Sequence, residues 1–121
     1  MDKAHEKLNY VEFGSMNLDA TKQFFTAAFG WRFTDYGPEY SAFDQQGLEG
    51  GLYAANKAAS QAAGSALLVF YSSDLEATRS KVESLGGRIC KEIFEFPGGR
   101  RFHFTEPGGN EFGVWSDQPA D

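Results

Sequence analysis

The chain repeats itself. A shift of 57 residues carries Phe13 onto Phe70, Leu18 onto Leu75, Ala20 onto Ala77, Thr21 onto Thr78 and Gly30 onto Gly87. A fixed internal period constrains the fold more than any single motif, because each copy must be one supersecondary unit. At 121 residues the chain suffices for one ordinary domain and is short for two independent cores. The two copies are therefore halves of one domain.

Each copy reads as strand, helix and three further strands. In the first, residues 8–13 alternate as a strand with Leu8, Tyr10 and Glu12 on one face and Val11 and Phe13 on the other. Asn17 is placed to cap a helix over 18–29, where Thr21, Phe24, Phe25, Ala28 and Phe29 recur at helical spacing until Gly30 stops it. Strands follow at 31–36, 40–44 and 50–54, separated by Gly37-Pro38 and by a turn at 45–47. Residues 56–64, rich in Ala, Ser and Gln, read as a surface linker.

The second copy begins with a strand at 66–72. Asp74 caps a helix with Leu75, Thr78, Val82 and Leu85 on one face, stopped by Gly86 and Gly87. Residues 88–96 form a strand, Pro97, Gly98 and Gly99 a turn, and 100–116 a final hairpin. In that hairpin Arg101, His103 and Thr105 alternate with Phe102 and Phe104. After the turn Glu106-Pro-Gly-Gly-Asn110, Glu111, Gly113 and Trp115 lie opposite Phe112 and Val114.

This pattern predicts an α+β fold of paired βαβββ modules, a single domain over 8–116 with modules at about 8–55 and 65–116 and the linker at 56–64. Each helix stripe needs one face of its own four strands. The other faces have no helix, so two curved mixed sheets with helices outside would enclose a cleft. Its expected lining is Tyr10, Glu12, Leu67, Val69, Tyr71, Arg101, His103, Thr105, Glu111 and Trp115.

Composition removes several function classes. Formal charge is −6, and the only basic run is Arg100-Arg101, so no nucleic-acid partner is expected. Cys90 is the single cysteine, which leaves no internal disulfide and no cysteine-based zinc cluster. No apolar run approaches the ~20 residues that span a bilayer, and no signal peptide precedes the domain, so no membrane partner and a cytoplasmic location are expected. Two sheets with open edges and 12 Phe residues to hide predict a homodimer.

Within the expected cleft, His103 and Glu12 are the candidate catalytic residues, and Tyr10, Arg101, Tyr71, Glu111 and Trp115 the candidate ligand contacts. His103 reads either as a histidine held by a hydrogen bond or as a proton shuttle, since imidazole changes charge near neutral pH. Arg101 reads either as an ion-pair partner of Glu12 or another carboxylate, or as the grip on an anionic or carbonyl-bearing ligand. The aromatic residues Trp31, Tyr40, Tyr53, Tyr71 and Trp115 either stack a planar ligand or pack. Cys90 reads as a small strand residue, and His5 as a solvated residue of a polar lead.

The paired units, the segments YVEF, NLDATKQFFTAAFGW and SDLEATRSKVESLGG, and above all FHFTEPGGNEFGVW, resemble the vicinal oxygen chelate superfamily. That group includes glyoxalase I, extradiol dioxygenases, and fosfomycin and bleomycin resistance proteins. The resemblance implies paired βαβββ modules, frequent dimerisation and, in many members, one divalent metal held by His and Glu at the centre of the cleft. Here the ligand slots hold Tyr10, Leu67 and Gly113, and 50–52 offers no ligand either, so no cofactor is expected. A site displaced onto Glu12, His103 and Glu111 is the alternative. The expected role is binding of a small organic ligand, or metal-independent chemistry, in an aromatic cleft. The alternatives are a metal-dependent lyase, isomerase or dioxygenase, and a non-enzymatic partner or regulatory module.

Overall fold

The structure, a computed structural model, describes residues 3–120. Its elements in chain order are β1 (Tyr10–Ser15), α1 (Leu18–Phe29), β2 (Phe33–Asp35), β3 (Tyr40–Gln46), β4 (Leu48–Ala54), β5 (Leu68–Tyr71), α2 (Leu75–Ser84), β6 (Arg88–Phe96), β7 (Gly99–Thr105) and β8 (Glu111–Ser116). They form two four-stranded sheets of order β1-β4-β3-β2 and β5-β8-β7-β6. The pairs β1/β4 and β5/β8 are parallel and the hairpin-linked pairs antiparallel. This α+β architecture of two βαβββ units is the one the repeat predicts.

The repeat also extends to hydrogen bonds. The Asn17 side chain accepts from Ala20 N, and Ser15 Oγ accepts from Asn17 N while bonding Thr21 Oγ1 at 2.7 Å. The second unit copies this with Asp74 accepting from Ala77 N and with Ser72 and Thr78, again at 2.7 Å. The bonds to Ala20 N and Ala77 N satisfy N–H groups that the first helical turn leaves without a partner. At the other end the copies diverge. Gly30 takes the left-handed conformation (φ 71°) after α1, but after α2 it is Gly86 (φ 103°) and not Gly87. With α2 ending at Ser84, Leu85 leaves the helix and is 40% exposed rather than joining the buried stripe of Leu75 and Val82.

The strongest departure from expectation is α1, which packs on both sheets rather than on its own. Phe25 stacks on Trp31 at 4.4 Å, and Trp31 on Phe43 at 4.2 Å, within the first unit. Phe29 also stacks on Phe70 at 4.6 Å, Phe24 meets Phe104 at 5.7 Å, and Phe25 meets Phe112 at 5.1 Å, all in the second. The physical reason is area: α1 carries three phenylalanines, whereas α2 buries only Leu75 and Val82. One aromatic core therefore serves both halves.

Glu106 and Asn110 fasten the halves on the other side of that core. The fully covered Glu106 carboxylate accepts from Thr21 Oγ1 (2.7 Å), Gly108 N (2.6 Å), Asn110 N (3.2 Å) and Asn110 Nδ2 (2.7 Å). Asn110 Nδ2 also donates to the Gly14 carbonyl at 2.8 Å, and its Oδ1 accepts from Ala59 N at 2.8 Å. The linker is thus not a free surface segment. It is docked, with Glu111 N donating to Ala59 O at 2.8 Å and Gln61 N to Glu111 Oε1 at 3.0 Å. Among the described residues no helix is long and apolar enough to cross a membrane.

Candidate functional site

Register fixes which side chains share the uncovered face of the second sheet. Phe94 pairs with Arg101, Arg101 with Trp115 and Trp115 with Tyr71, so the four form a row across β6, β7, β8 and β5. The next row is Lys91, His103, Gly113 and Val69. The Arg101 guanidinium carbon lies 5.9 Å from the Phe94 ring centre and 5.8 Å from that of Phe96. Trp115 meets Phe96 edge-on at 6.2 Å and Tyr71 at 5.2 Å. Arg101, Tyr71 and Trp115 are thereby brought together in one row.

His103 shares this face but is only 2% exposed, lidded by Arg101 and flanked by Phe94 at 6.0 Å. Both ring nitrogens are engaged. Arg101 Nε (3.2 Å) and Nη2 (2.9 Å) converge on Nε2, while Nδ1 lies 2.8 Å from Glu111 Oε2. Because a guanidinium only donates, Nε2 must be the acceptor, so the neutral ring carries its proton on Nδ1 and donates it to Glu111. The order is a chain in which Arg101 donates to His103 and His103 donates to Glu111.

Burial raises the Glu111 carboxyl, but the Gln61 N–H, His103 and then Lys91 outweigh it and leave its pKa below the ordinary glutamate value. The Cys90 thiol nearby is pushed up, first by burial and then by the Glu111 charge, which keeps it a thiol. Arg101 makes no ion pair with Glu12; His103 is its hydrogen-bond partner, and no carboxylate among the described residues bonds it. The ion-pair expectation is corrected because Glu12 sits on the other sheet and is taken up by Tyr40.

On the first sheet Tyr40 donates to Glu12 Oε2 at 2.8 Å, and Tyr10 in turn bonds the Tyr40 oxygen at 2.6 Å. Burial, then the Tyr10 and Glu12 bonds, push the Tyr40 phenol well above the ordinary tyrosine value, so it stays a neutral donor. Gly51 permits this arrangement, since a Cβ there would lie 1.9 Å from the Tyr40 oxygen. A hollow of about 960 Å³ opens beside the network, lined by Tyr10, Tyr36, Tyr40, Ala42 and Thr34 among others. Members of the two groups meet at a cavity of about 500 Å³ between the units, which is lined by Glu12, Glu111 and linker residues 57–59.

Sequence reasoning missed Phe94 and Phe96 as neighbours of Arg101 and Lys91 as the residue across from His103, because the bulges in β6 between Ile89 and Phe94 break simple alternation. It also passed over Glu106, whose place in a turn motif concealed a buried carboxylate. The signal available was that turn glycines leave room for one: a Cβ on Gly108 would lie 2.0 Å from Thr21 Oγ1.

The donor set does not fit the divalent metal that the family implies. Leu67 and Gly113 bring no donor, and the Tyr10 hydroxyl is committed to Tyr40. Nor are Glu12, His103 and Glu111 gathered into a ligand set among the described residues; Glu12 lies in the Tyr40 network and the other two in the Arg101 chain.

Paired βαβββ units with an open aromatic face define a class, and sequence comparison agrees with it. The profile of the Glyoxalase/Bleomycin resistance protein/Dioxygenase superfamily matches residues 7–114, and the chain belongs to that superfamily. No curated protein sequence matches the chain. Among solved structures it is similar to a fosfomycin resistance protein from Listeria monocytogenes (TM-score 0.75, 15% identity, 93% of this chain and 94% of that one). It is likewise similar to a glyoxalase/bleomycin resistance protein/dioxygenase family enzyme from Burkholderia phytofirmans PsJN (0.73, 15%, 89% and 96%). A lactoylglutathione lyase from Agrobacterium tumefaciens is a third (0.68, 18%, 94% and 96%). Identities this low speak for the shared fold alone.

Proposed function

We propose that this protein binds a small organic ligand on the uncovered face of its second sheet, against Arg101, Trp115 and Tyr71. The observation that carries the reading is Arg101. A guanidinium half-covered by Phe94 and Phe96, with no carboxylate bonded to it among the described residues, is an electrostatic cost unless a ligand makes use of it. Membership in the Glyoxalase/Bleomycin resistance protein/Dioxygenase superfamily supports a small-molecule role at that coarse level.

A second reading, metal-independent chemistry, is favoured by the Glu111–His103 contact. A carboxylate on Nδ1–H orients the ring and makes Nε2 the basic atom. In the ligand-free protein that lone pair is held by Arg101, so His103 acts as a base only when Arg101 turns toward a ligand. Glu12 and Tyr10 belong to the separate network on the first sheet and have no part in this step.

A melting screen of organic compounds tests the proposal, with hits repeated on Trp115→Ala and Tyr10→Phe. Stabilisation should vanish in Trp115→Ala and persist in Tyr10→Phe. Hits indifferent to Trp115, or lost in Tyr10→Phe alone, would move the ligand off this face.

A further inference from the structure

Taking the second-sheet face as the binding face, the geometry points to a ligand class: a carboxylate attached to a flat, conjugated body. Arg101 spends Nε–H and one Nη2–H on His103 Nε2. Its remaining N–H groups lie in the guanidinium plane along the outer edge and have no partner among the described residues. That edge matches a planar group with two oxygens, one for each nitrogen. Glu111 and His103 act from behind as positioning residues, fixing the plane of the fork through the 2.8 Å and 2.9 Å bonds.

Charges on this face balance, Arg101 and Lys91 standing against Glu111 and Asp117, whereas the chain as a whole carries −6. Lys91 stands across from His103 and adds a second cation. Of the acids nearby, Glu111 is already engaged by His103 and Gln61, and Asp117 accepts from Tyr71 Oη at 2.6 Å and from Gln118. With its hydroxyl so committed, Tyr71 offers its ring alone. The row then supplies flat apolar area beside the guanidinium, with the Phe94 and Phe96 ring centres within 5.9 Å of its carbon and with Trp115, which touches Phe96, and Tyr71 continuing it.

The probes are 2-naphthoate and its neutral amide, 2-naphthamide, titrated into the full-length protein by calorimetry, with Arg101→Gln and Arg101→Lys alongside. Naphthoate should bind the parent and lose roughly 10- to 100-fold in Arg101→Gln, the loss expected for a hydrogen bond to a charged group. Arg101→Lys should recover part of it, having charge without the fork. Melting curves establish that each variant is folded. Equal binding of amide and naphthoate, unchanged in Arg101→Gln, would overturn the carboxylate assignment while leaving a small-molecule face in place. Failure of naphthoate to bind while neutral compounds stabilise the protein through Trp115 would overturn it equally, and failure of every compound would remove both readings.

Discussion

Thr21 and Glu106, 85 residues apart, are joined by a buried 2.7 Å hydrogen bond from Oγ1 to Oε1. Thr21 spends its only proton on Glu106, so Ser15 must donate to Thr21, and the chain from the α1 cap ends on a carboxylate in the other unit. Such a chain ties the position of α1 to the turn that launches β8.

Replacing Glu106 by Ala strands Thr21, Gly108 N and Asn110 without their acceptor. The expected loss is on the order of 3 to 5 kcal/mol in urea unfolding, from several buried donors each left unsatisfied. Thr21→Val, which removes one link, should cost about 1 to 3 kcal/mol. A loss below ~1 kcal/mol for Glu106→Ala would show that water replaces the carboxylate.

The histidine tests packing against chemistry. Alternation suggests an accessible His103, but the ring is 2% exposed with both nitrogens bonded. His103→Ala should therefore destabilise by roughly 1 to 3 kcal/mol through the unpaired Glu111 and Arg101. Phe104→Ala, which empties a site in contact with Phe24 and Phe112, should cost more, about 3 to 5 kcal/mol. Thermal melts of the two variants rank them.

Glu111 predicts a pH dependence. Its folded-state pKa is depressed, so its contribution is present in full above the unfolded-state value and disappears as pH falls through the folded one. The melting temperature of the parent should exceed that of Glu111→Gln at neutral pH. The gap should begin to close as pH falls through the ordinary glutamate value of about 4.3 and continue closing below it. A gap independent of pH would mean that the charge contributes nothing.

Association is the fourth expectation. Tyr10, Tyr53, Val69, Tyr71 and Phe94 are 39–51% exposed on the two uncovered faces, apolar surface that a second copy would cover. Light scattering at micromolar concentration should return twice the 13.4 kDa chain mass. A monomer that persists on concentration would refute it.

Local chemistry made much of this legible in the chain itself. The spacing of Phe24, Phe25 and Ala28 between Asn17 and Gly30 places α1 at Leu18–Phe29 because a cap, a stripe and a left-handed stop are all near-neighbour effects. Alternation puts Arg101 and His103 opposite Phe102 and Phe104 for the same reason. What alternation cannot carry is distance between elements. The packing of α1 on both sheets, the grip of Glu106 on Thr21, and the choice of His103 rather than Glu12 as partner for Arg101 depend on where strands far apart in sequence come to rest. Those were decided by the shared aromatic core and the buried Glu106–Asn110 bonds, which together set the two units at one fixed position.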